Sequence, residues 1–339
     1  MSPIASSQLN GEKVRIAVDA MGGDRAPDEI VAGACRAAVT QPCGVVLVGD
    51  EARISSLVAR HGSPKTVTVV HCAEAVAMDE APAVAARRGS STSMGRTIDL
   101  LRDGEADAAF SAGNSGAFMA LATIRLRPLP GIARPAIATA WPVKNGIMLL
   151  IDAGANVDCK PEWLAQFGIM GSAYAHAVLG VESPKVGLLN VGEEQGKGNA
   201  LTDAAYPLLA AAPIRFVGNV EGRDLLLGSA DVIVCDGFVG NVALKLAESA
   251  SEFFFSLLRE AAGGSALAKL GSSLLRPALR SVRKRLDYRE HGGAPLLGVR
   301  GVCLIGHGRA DALAVESACR GAVRAVRQDL VGNISRVIA

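Results

Sequence analysis

Short apolar runs rich in β-branched residues alternate along this 339-residue chain with alanine-rich amphipathic stretches, and that alternation limits the fold more than any other feature. The apolar runs are 15–21, 44–50, 66–72, 107–113, 136–143, 146–154, 185–192, 214–220, 231–238 and 301–308. Most lack the apolar/polar alternation of a half-exposed strand, so they read as strands buried on both faces. Helical patterns follow most of them, over 28–40, 51–61, 90–103, 115–126, 160–179, 200–211, 240–262 and 310–330. Strand-then-helix order of this kind predicts an α/β fold, a doubly wound and mostly parallel sheet with helices on both faces. The length suits two domains, or one large domain with an insertion. We expect a frayed tail over 1–13, one α/β domain over 14–335, and a helical insertion within it over 253–290.

In open α/β sheets ligands bind beyond the carboxyl ends of the strands. Glycine and polar residues gather at six such ends here: DAMGGD (19–24), SAGNSG (111–116), DAGAN (152–156), NVGEEQGKGN (190–199), DGFVGN (236–241) and GHG (306–308). The expectation is that these loops converge on one rim. Glycine at a strand-to-helix turn lets backbone N–H groups approach an anion, and the helix start adds partial positive charge. Gly113, Asn114, Ser115 and Gly116 fit this description, as do Asp236, Gly237, Gly240 and Asn241, with Asp19, Gly22 and Gly23 in the first loop. Asn114 and Asn241 are also the residue type that caps a helix.

Two nucleotide motifs are close misses. In NVGEEQGKGN the glycines are one residue too near for a phosphate loop, and Gly198 stands where a magnesium-binding hydroxyl is needed. Glu193 and Glu194 would repel a polyphosphate, so Lys197 suits a smaller anion or a carbonyl oxygen that gains charge. No strand runs into the G-x-G-x-x-G of a dinucleotide site, and DAMGGDRAPD puts acids where a pyrophosphate would sit. His307 reads either as a general base or as a structural histidine, and the other histidines form no triad or zinc motif.

The formal net charge is +2, which does not mark a nucleic-acid binder. Seven scattered cysteines without a C-x-x-C pair read as buried small hydrophobes of a reducing compartment. The uncharged stretch Trp163 to Val181 reads as a core helix, since it carries Gln166, Ser172 and His176. The basic excess sits in one segment: Ser265 to Glu290 carries seven Lys/Arg against two Asp/Glu. There Leu267, Leu270, Leu274, Leu275, Leu279, Val282 and Leu286 recur at steps of three and four, with Arg276, Arg280, Arg283 and Lys284 largely between them. This is an amphipathic helix with a basic face, suited to a kink at Pro277. It fits an anionic membrane surface, an acidic partner or a dimer interface.

In this order the loops resemble the phosphate acyltransferase (PlsX) family of bacterial phospholipid synthesis. The matching strings are VDAMGGD (18–24), SAGNSGA (111–117), ARP (133–135), DAGANVDCKPEWLAQFGIMG (152–171), LLNVGEEQGKGN (188–199), NVEGRDLL (219–226), VCDGFVGNVALK (234–245), GGAPLLGVRG (292–301) and GHG. Ser115 and His291 depart from the family's frequent Thr and Tyr. The resemblance implies a fold similar to phosphotransacetylases and isopropylmalate dehydrogenases. It implies an enzyme converting acyl-[acyl carrier protein] and inorganic phosphate into acyl phosphate and free carrier, feeding a membrane glycerol-3-phosphate acyltransferase. It further implies a cytoplasmic homodimer at the membrane surface that needs no metal or nucleotide cofactor.

Phosphate is itself a nucleophile, so such a site need only hold an anion in line with a thioester carbonyl and stabilise an oxyanion. On this reading Lys197 neutralises charge, Asn114, Ser115 and Asn241 with their glycines cradle phosphate, and His307 protonates the leaving thiolate. Arg223 and Lys245 bind phosphate or serve as ion-pair partners, while Asp19, Asp24, Asp236 and Glu221 orient cations or cap loops. Arg276, Arg280, Arg283 and Lys284, with Leu274 and Leu275, meet the acidic carrier or lipid. The alternatives are a phosphotransacetylase using acyl-coenzyme A, a non-catalytic membrane-surface scaffold and, more remotely, a nicotinamide dehydrogenase.

Overall fold

The computed structural model describes residues 13–144, 146–285 and 292–338; residues 1–12 of the predicted tail and His291 lie outside the described residues. The first half runs β1 (Val14–Asp19), α1 (Asp28–Thr40), β2 (Cys43–Gly49), α2 (Glu51–Arg60), β3 (Val67–His71), α3 (Pro82–Arg88), α4 (Ser93–Arg102), β4 (Ala108–Ser111) and α5 (Ser115–Leu126). Then follow β5 (Ala136–Val143), β6 (Gly146–Ile151), α6 (Pro161–Ala177), β7 (Lys185–Leu189), α7 (Ala200–Ala211), β8 (Arg215–Val220), α8 (Asp224–Leu227) and β9 (Val232–Val234). The chain ends with α9 (Gly237–Gly263), α10 (Ala266–Arg285), β10 (Ala294–Leu297), β11 (Val302–Ile305), α11 (Ala312–Arg327) and α12 (Leu330–Ile338).

Eleven strands form one sheet in the order β3-β2-β1-β4-β11-β10-β5-β6-β9-β7-β8. Successive residues of a strand feed opposite layers. Leu149 and Ile151 of β6 join the core under α1, α6 and α11. Met148 and Leu150 face the other way, toward Leu244 and Ala247 of α9. Ile305 and Cys303 of β11 meet Phe118 and Leu121 of α5 on that second face. Both faces are therefore covered by helices, which is why the strand runs show no apolar/polar alternation. The stretch at 163–181 is largely α6, packed into the core through Leu164, Phe167 and Met170. No helix among the described residues is long and apolar enough to cross a membrane.

The expected convergence of six loops on one rim is not what the topology gives. β4, β1, β2, β3 and β11 run parallel, as do β6, β9, β7 and β8. Between these blocks β10 is antiparallel to both β11 and β5, and β5 is antiparallel to β6. Three reversals in a row invert the second block. The loops after β1, β4 and β11 thus leave one edge of the sheet, and those after β6, β7 and β9 leave the other. The run APLL (294–297) forms β10, a strand additional to the ten expected, and its direction helps divide the loops.

Candidate functional site

At the first edge, Asp19 closes β1 with its carboxylate fully buried. Burial raises its pKa above the ordinary value, against the lowering effect of hydrogen bonds from Ser93 and Ser111. Both hydroxyls donate to it at 2.7 Å, and Ser111 Oγ accepts the Gly113 N–H at 3.0 Å. Asp19 thereby fixes SAGNSG against DAMGGD. The two loops approach so closely that a Cβ on Gly22 would stand 2.8 Å from Ser111 Oγ and 2.9 Å from the Gly113 nitrogen. Asn114 caps α5, accepting from Ala117 N–H at 3.0 Å, and its amide donates to the carbonyls of Met78 and Glu80 at 3.0 and 2.9 Å. Its side chain is thus committed to a cap and to pinning the segment before α3 over the helix start. Ser115 is exposed beside it, and Gly116 packs under Pro82.

The turn carrying Gly23 meets the turn carrying His307 through an Asp24 N–H donated to the Gly308 carbonyl at 2.8 Å. His307 Nδ1 accepts the Arg309 N–H at 3.1 Å, so in the neutral ring Nε2 bears the proton. Burial foremost, then the charges of Lys245 and Arg309, pull the His307 pKa below its ordinary value, against Glu248 and Asp24. These causes favour the neutral ring.

At the opposite edge the DAGAN and DGFVGN loops interlock. Asp152 accepts N–H bonds from Ile137, Gly154, Ala155 and Asn156. Asp236 caps α9 by accepting from Val239 N–H at 2.9 Å, and Gly237 and Gly240 lie against the backbones of Asn156 and Asp152. Asn241 is exposed, next to Gly154. Asn241, Lys245 and Glu248 fall at i, i+4 and i+7 along α9, one strip about 10 Å long at 1.5 Å per residue. Lys245 pairs with Glu248 at 3.0 Å. Because Lys245 and Glu248 act on His307, α9 carries this strip from the second edge back to the first.

Lys197 and Arg223 form a third group. Asn190 donates to the Lys197 carbonyl at 2.7 Å, Asn219 to the Glu194 carbonyl at 3.1 Å, and Arg223 pairs with Glu193 at 2.8 Å and Glu221 at 3.4 Å. Among the described residues no hydrogen bond or ion pair ties this group to His307 or Asn241. The structure thus gathers Asp19, Gly22, Gly23 and residues 113–116 with His307 and brings Lys245 to them, while the loop of Lys197 and the turn of Arg223 are tied to each other at the second edge.

A groove of about 1040 Å³ opens where α9 passes the first edge. Its polar end holds Arg25, Glu248, His307, Arg309 and Asp311. Its body is lined by Trp141, Leu244, Phe254, Phe255, Leu258 and Leu279. Arg276 and Arg280 of α10 border it as well. From Glu248 to Ala262, both on its wall, α9 rises through 14 residues or about 21 Å. One acyl chain reaches about 15 Å, half of a bilayer core. The groove can therefore hold an anionic head at one end and a fatty chain along its length. Arg25, Arg309 and Trp141 did not stand out in the sequence, although Arg25 directly follows DAMGGD and Arg309 directly follows GHG.

The predicted amphipathic helix is α10, with Pro277 inside it. Leu274 and Leu275 are 77% and 59% exposed, and Arg276 and Arg280 are exposed too. The side chains of Arg283 and Lys284 lie outside the described residues.

The doubly wound fold is that of solved phosphotransacetylases. The structure resembles one from Streptococcus pyogenes with a TM-score of 0.63 at 14% identity, covering 95% of each chain. It resembles another from Staphylococcus aureus with a TM-score of 0.62 at 16% identity, covering 93% of this chain and 94% of that one. In sequence, residues 14–332 match the family described as "Fatty acid synthesis protein". A phosphate acyltransferase of Pelotomaculum thermopropionicum is 50% identical over 321 residues, 95% of this chain and 94% of that protein. One from a Nostoc species is 51% identical over 324 residues, 95% of each. The chain belongs to the phosphate acyltransferase family of fatty acid and phospholipid synthesis.

Proposed function

We propose that this chain transfers a fatty acyl group from acyl carrier protein to inorganic phosphate, without a covalent enzyme intermediate. The observation that carries the reading is the groove, apolar along α9, with Arg25 and Arg309 beside His307 at its polar end. A phosphate oxygen attacks the thioester carbon, a C–O bond forms, the C–S bond breaks, and the thiolate takes the proton of hydrogen phosphate. The products are acyl phosphate and free carrier. The neutral His307 ring, with its proton on Nε2, donates a hydrogen bond to the carbonyl oxygen as it gains charge, a better fit to its lowered pKa than delivery of a proton from imidazolium. The exposed N-terminus of α5 at Ser115 and the Asn241–Lys245 strip supply further anion binding.

Arg276 and Arg280 suit an acidic carrier protein, and the exposed leucines of α10 suit lipid or a second copy of the chain. On this reading the protein is a homodimer that works at the membrane surface and hands acyl phosphate to a membrane glycerol-3-phosphate acyltransferase. Lys197 belongs to the reading as the residue that neutralises the phosphate of a bound substrate. Continuity of one sheet from β3 to β8 supports treating 14–335 as a single domain.

The test is phosphate-dependent consumption of acyl-carrier thioester, with acyl-coenzyme A run alongside. Acyl phosphate formed faster from the carrier thioester supports the proposal. Faster turnover of the coenzyme A thioester assigns the chain to phosphotransacetylase chemistry. No product from either, by folded protein, overturns both and leaves the scaffold role. Lys197→Ala should lower turnover while leaving the unfolding midpoint in place.

A further inference from the structure

Two arginines at the polar end of the groove stand out by where they sit. Several arginines of the first block of the sheet sit in ion pairs, while others on its surface, Arg36, Arg53, Arg60 and Arg87, form none among the described residues. Arg15 pairs with Asp107, Arg88 with Glu74 and Glu80, Arg102 with Asp99 and Asp103, and Arg125 with Asp99. Arg25 and Arg309 are exposed on the groove and form no ion pair among the described residues. They come from opposite ends of the sequence and are held together by backbone. Asp24, the neighbour of Arg25, donates its N–H to Gly308, the neighbour of Arg309, at 2.8 Å. His307 belongs to the second of these turns, with its Nδ1 already occupied. The carboxylates at this end are engaged, Glu248 by Lys245 at 3.0 Å and Asp311 as the cap of α11, so two guanidinium groups on bonded turns add positive potential that an anion can meet. The planar fork of arginine matches phosphoryl oxygens in paired hydrogen bonds.

We propose that Arg25 and Arg309 form a clamp for a phosphoryl oxyanion at the head of the groove, beside His307. The proposal rests on the reading of the groove as an acyl-transfer site, but its binding step does not require turnover. Two sources carry this chemistry: inorganic phosphate, and the phosphodiester of a carrier's phosphopantetheine arm. In the first case the clamp holds the nucleophile against the thioester carbon. In the second it anchors the arm whose thioester enters the groove.

The experiment uses the full chain with Arg25→Ala, Arg309→Ala, and Arg→Lys at each position, and unfolding midpoints confirm that each variant folds. Calorimetric titration with inorganic phosphate reads binding directly, and steady-state assays give KM for phosphate and for acyl carrier separately. If phosphate is the ligand, each alanine variant weakens phosphate binding and raises the phosphate KM at least about tenfold, with lysine recovering part of the loss. If the phosphodiester is the ligand, the acyl-carrier KM rises instead, and an acyl-pantetheine lacking the phosphate shows no difference between wild type and variants. Either result supports the clamp. Unchanged phosphate titration together with unchanged KM values in both alanine variants overturns it. Phosphate binding that is lost in the variants of a chain producing no acyl phosphate would keep the clamp and discard the acyl-transfer reading.

Discussion

Ser251→Phe tests the groove most directly. Ser251 is half-buried on the groove wall, one turn of α9 beyond Glu248 and so about 4.5 Å past the polar end. A phenyl ring there intrudes on the path of the chain while leaving His307, Arg25 and Arg309 untouched. Serine and phenylalanine have similar helix propensities, so the helix itself should tolerate the change. A ring at this point displaces roughly three methylenes into water at ~0.8 kcal/mol each, about 2.4 kcal/mol in all, which is about sixtyfold in affinity. The assay is KM against acyl chain length with carrier thioesters from short to long. Wild type should gain affinity with each added methylene until the chain fills the groove. In the variant the gain should stop early, so that long chains lose roughly sixtyfold and the shortest keep their KM. An equal loss at every length would mean that the ring disturbs the reacting centre or the fold. No loss at any length would place the chain elsewhere, and the argument from the groove would be refuted.

Burial and the Lys245 charge depress the His307 pKa, so neutral imidazole is the form that folding favours. The linked stability is present above the ordinary pKa of about 6.5 and is lost as pH falls through the lowered value. The acid limb of kcat/KM should accordingly lie below pH 6.5, and Lys245→Met should move it upward; a limb that stays in place would remove His307 from the rate equation. Replacing Leu274 and Leu275 by Asp should abolish sedimentation with anionic vesicles, or dissociate a dimer seen in analytical ultracentrifugation, without lowering the unfolding midpoint, since both side chains are exposed. If neither property changes, α10 serves the carrier alone. A Cβ on Gly240 would overlap the Asp152 carbonyl oxygen, whereas none of the neighbours of Gly222 lies within 4 Å of one. Gly240→Ala should cost about 1–3 kcal/mol in urea unfolding and Gly222→Ala well under 1 kcal/mol; equal effects would contradict the close packing of the DAGAN and DGFVGN loops.

Local pattern carried much of the architecture. All ten predicted strands are present within a few residues of their expected bounds, and the helix expected over 115–126 is α5. Strand and helix periodicities are properties of neighbouring residues, so one-dimensional text records them. The short APLL run of β10 and the LLL of α8 carry no signal in the sequence, because four residues are too few to show a period.

The sequence by itself determined which residues turn, cap and approach: Asp19, Gly22, Asn114, Asp236 and Gly240 all act at the loop ends where their chemistry placed them. It also pointed to the family, through loop strings such as VDAMGGD, SAGNSGA and VCDGFVGNVALK standing in one order along the chain. Only the tertiary structure decided which loops share a site. Strand direction is a relation between distant segments, and the antiparallel pairing of β10 and β5 sends the loops after β1 and β9 to opposite edges. The length of α9 then partly restores the connection, since a helix that rises about 1.5 Å per residue carries Lys245 back to His307. Arg25 and Arg309 gained their meaning the same way: a single backbone hydrogen bond, Asp24 to Gly308, makes neighbours of two charges that the chain separates by nearly its whole length.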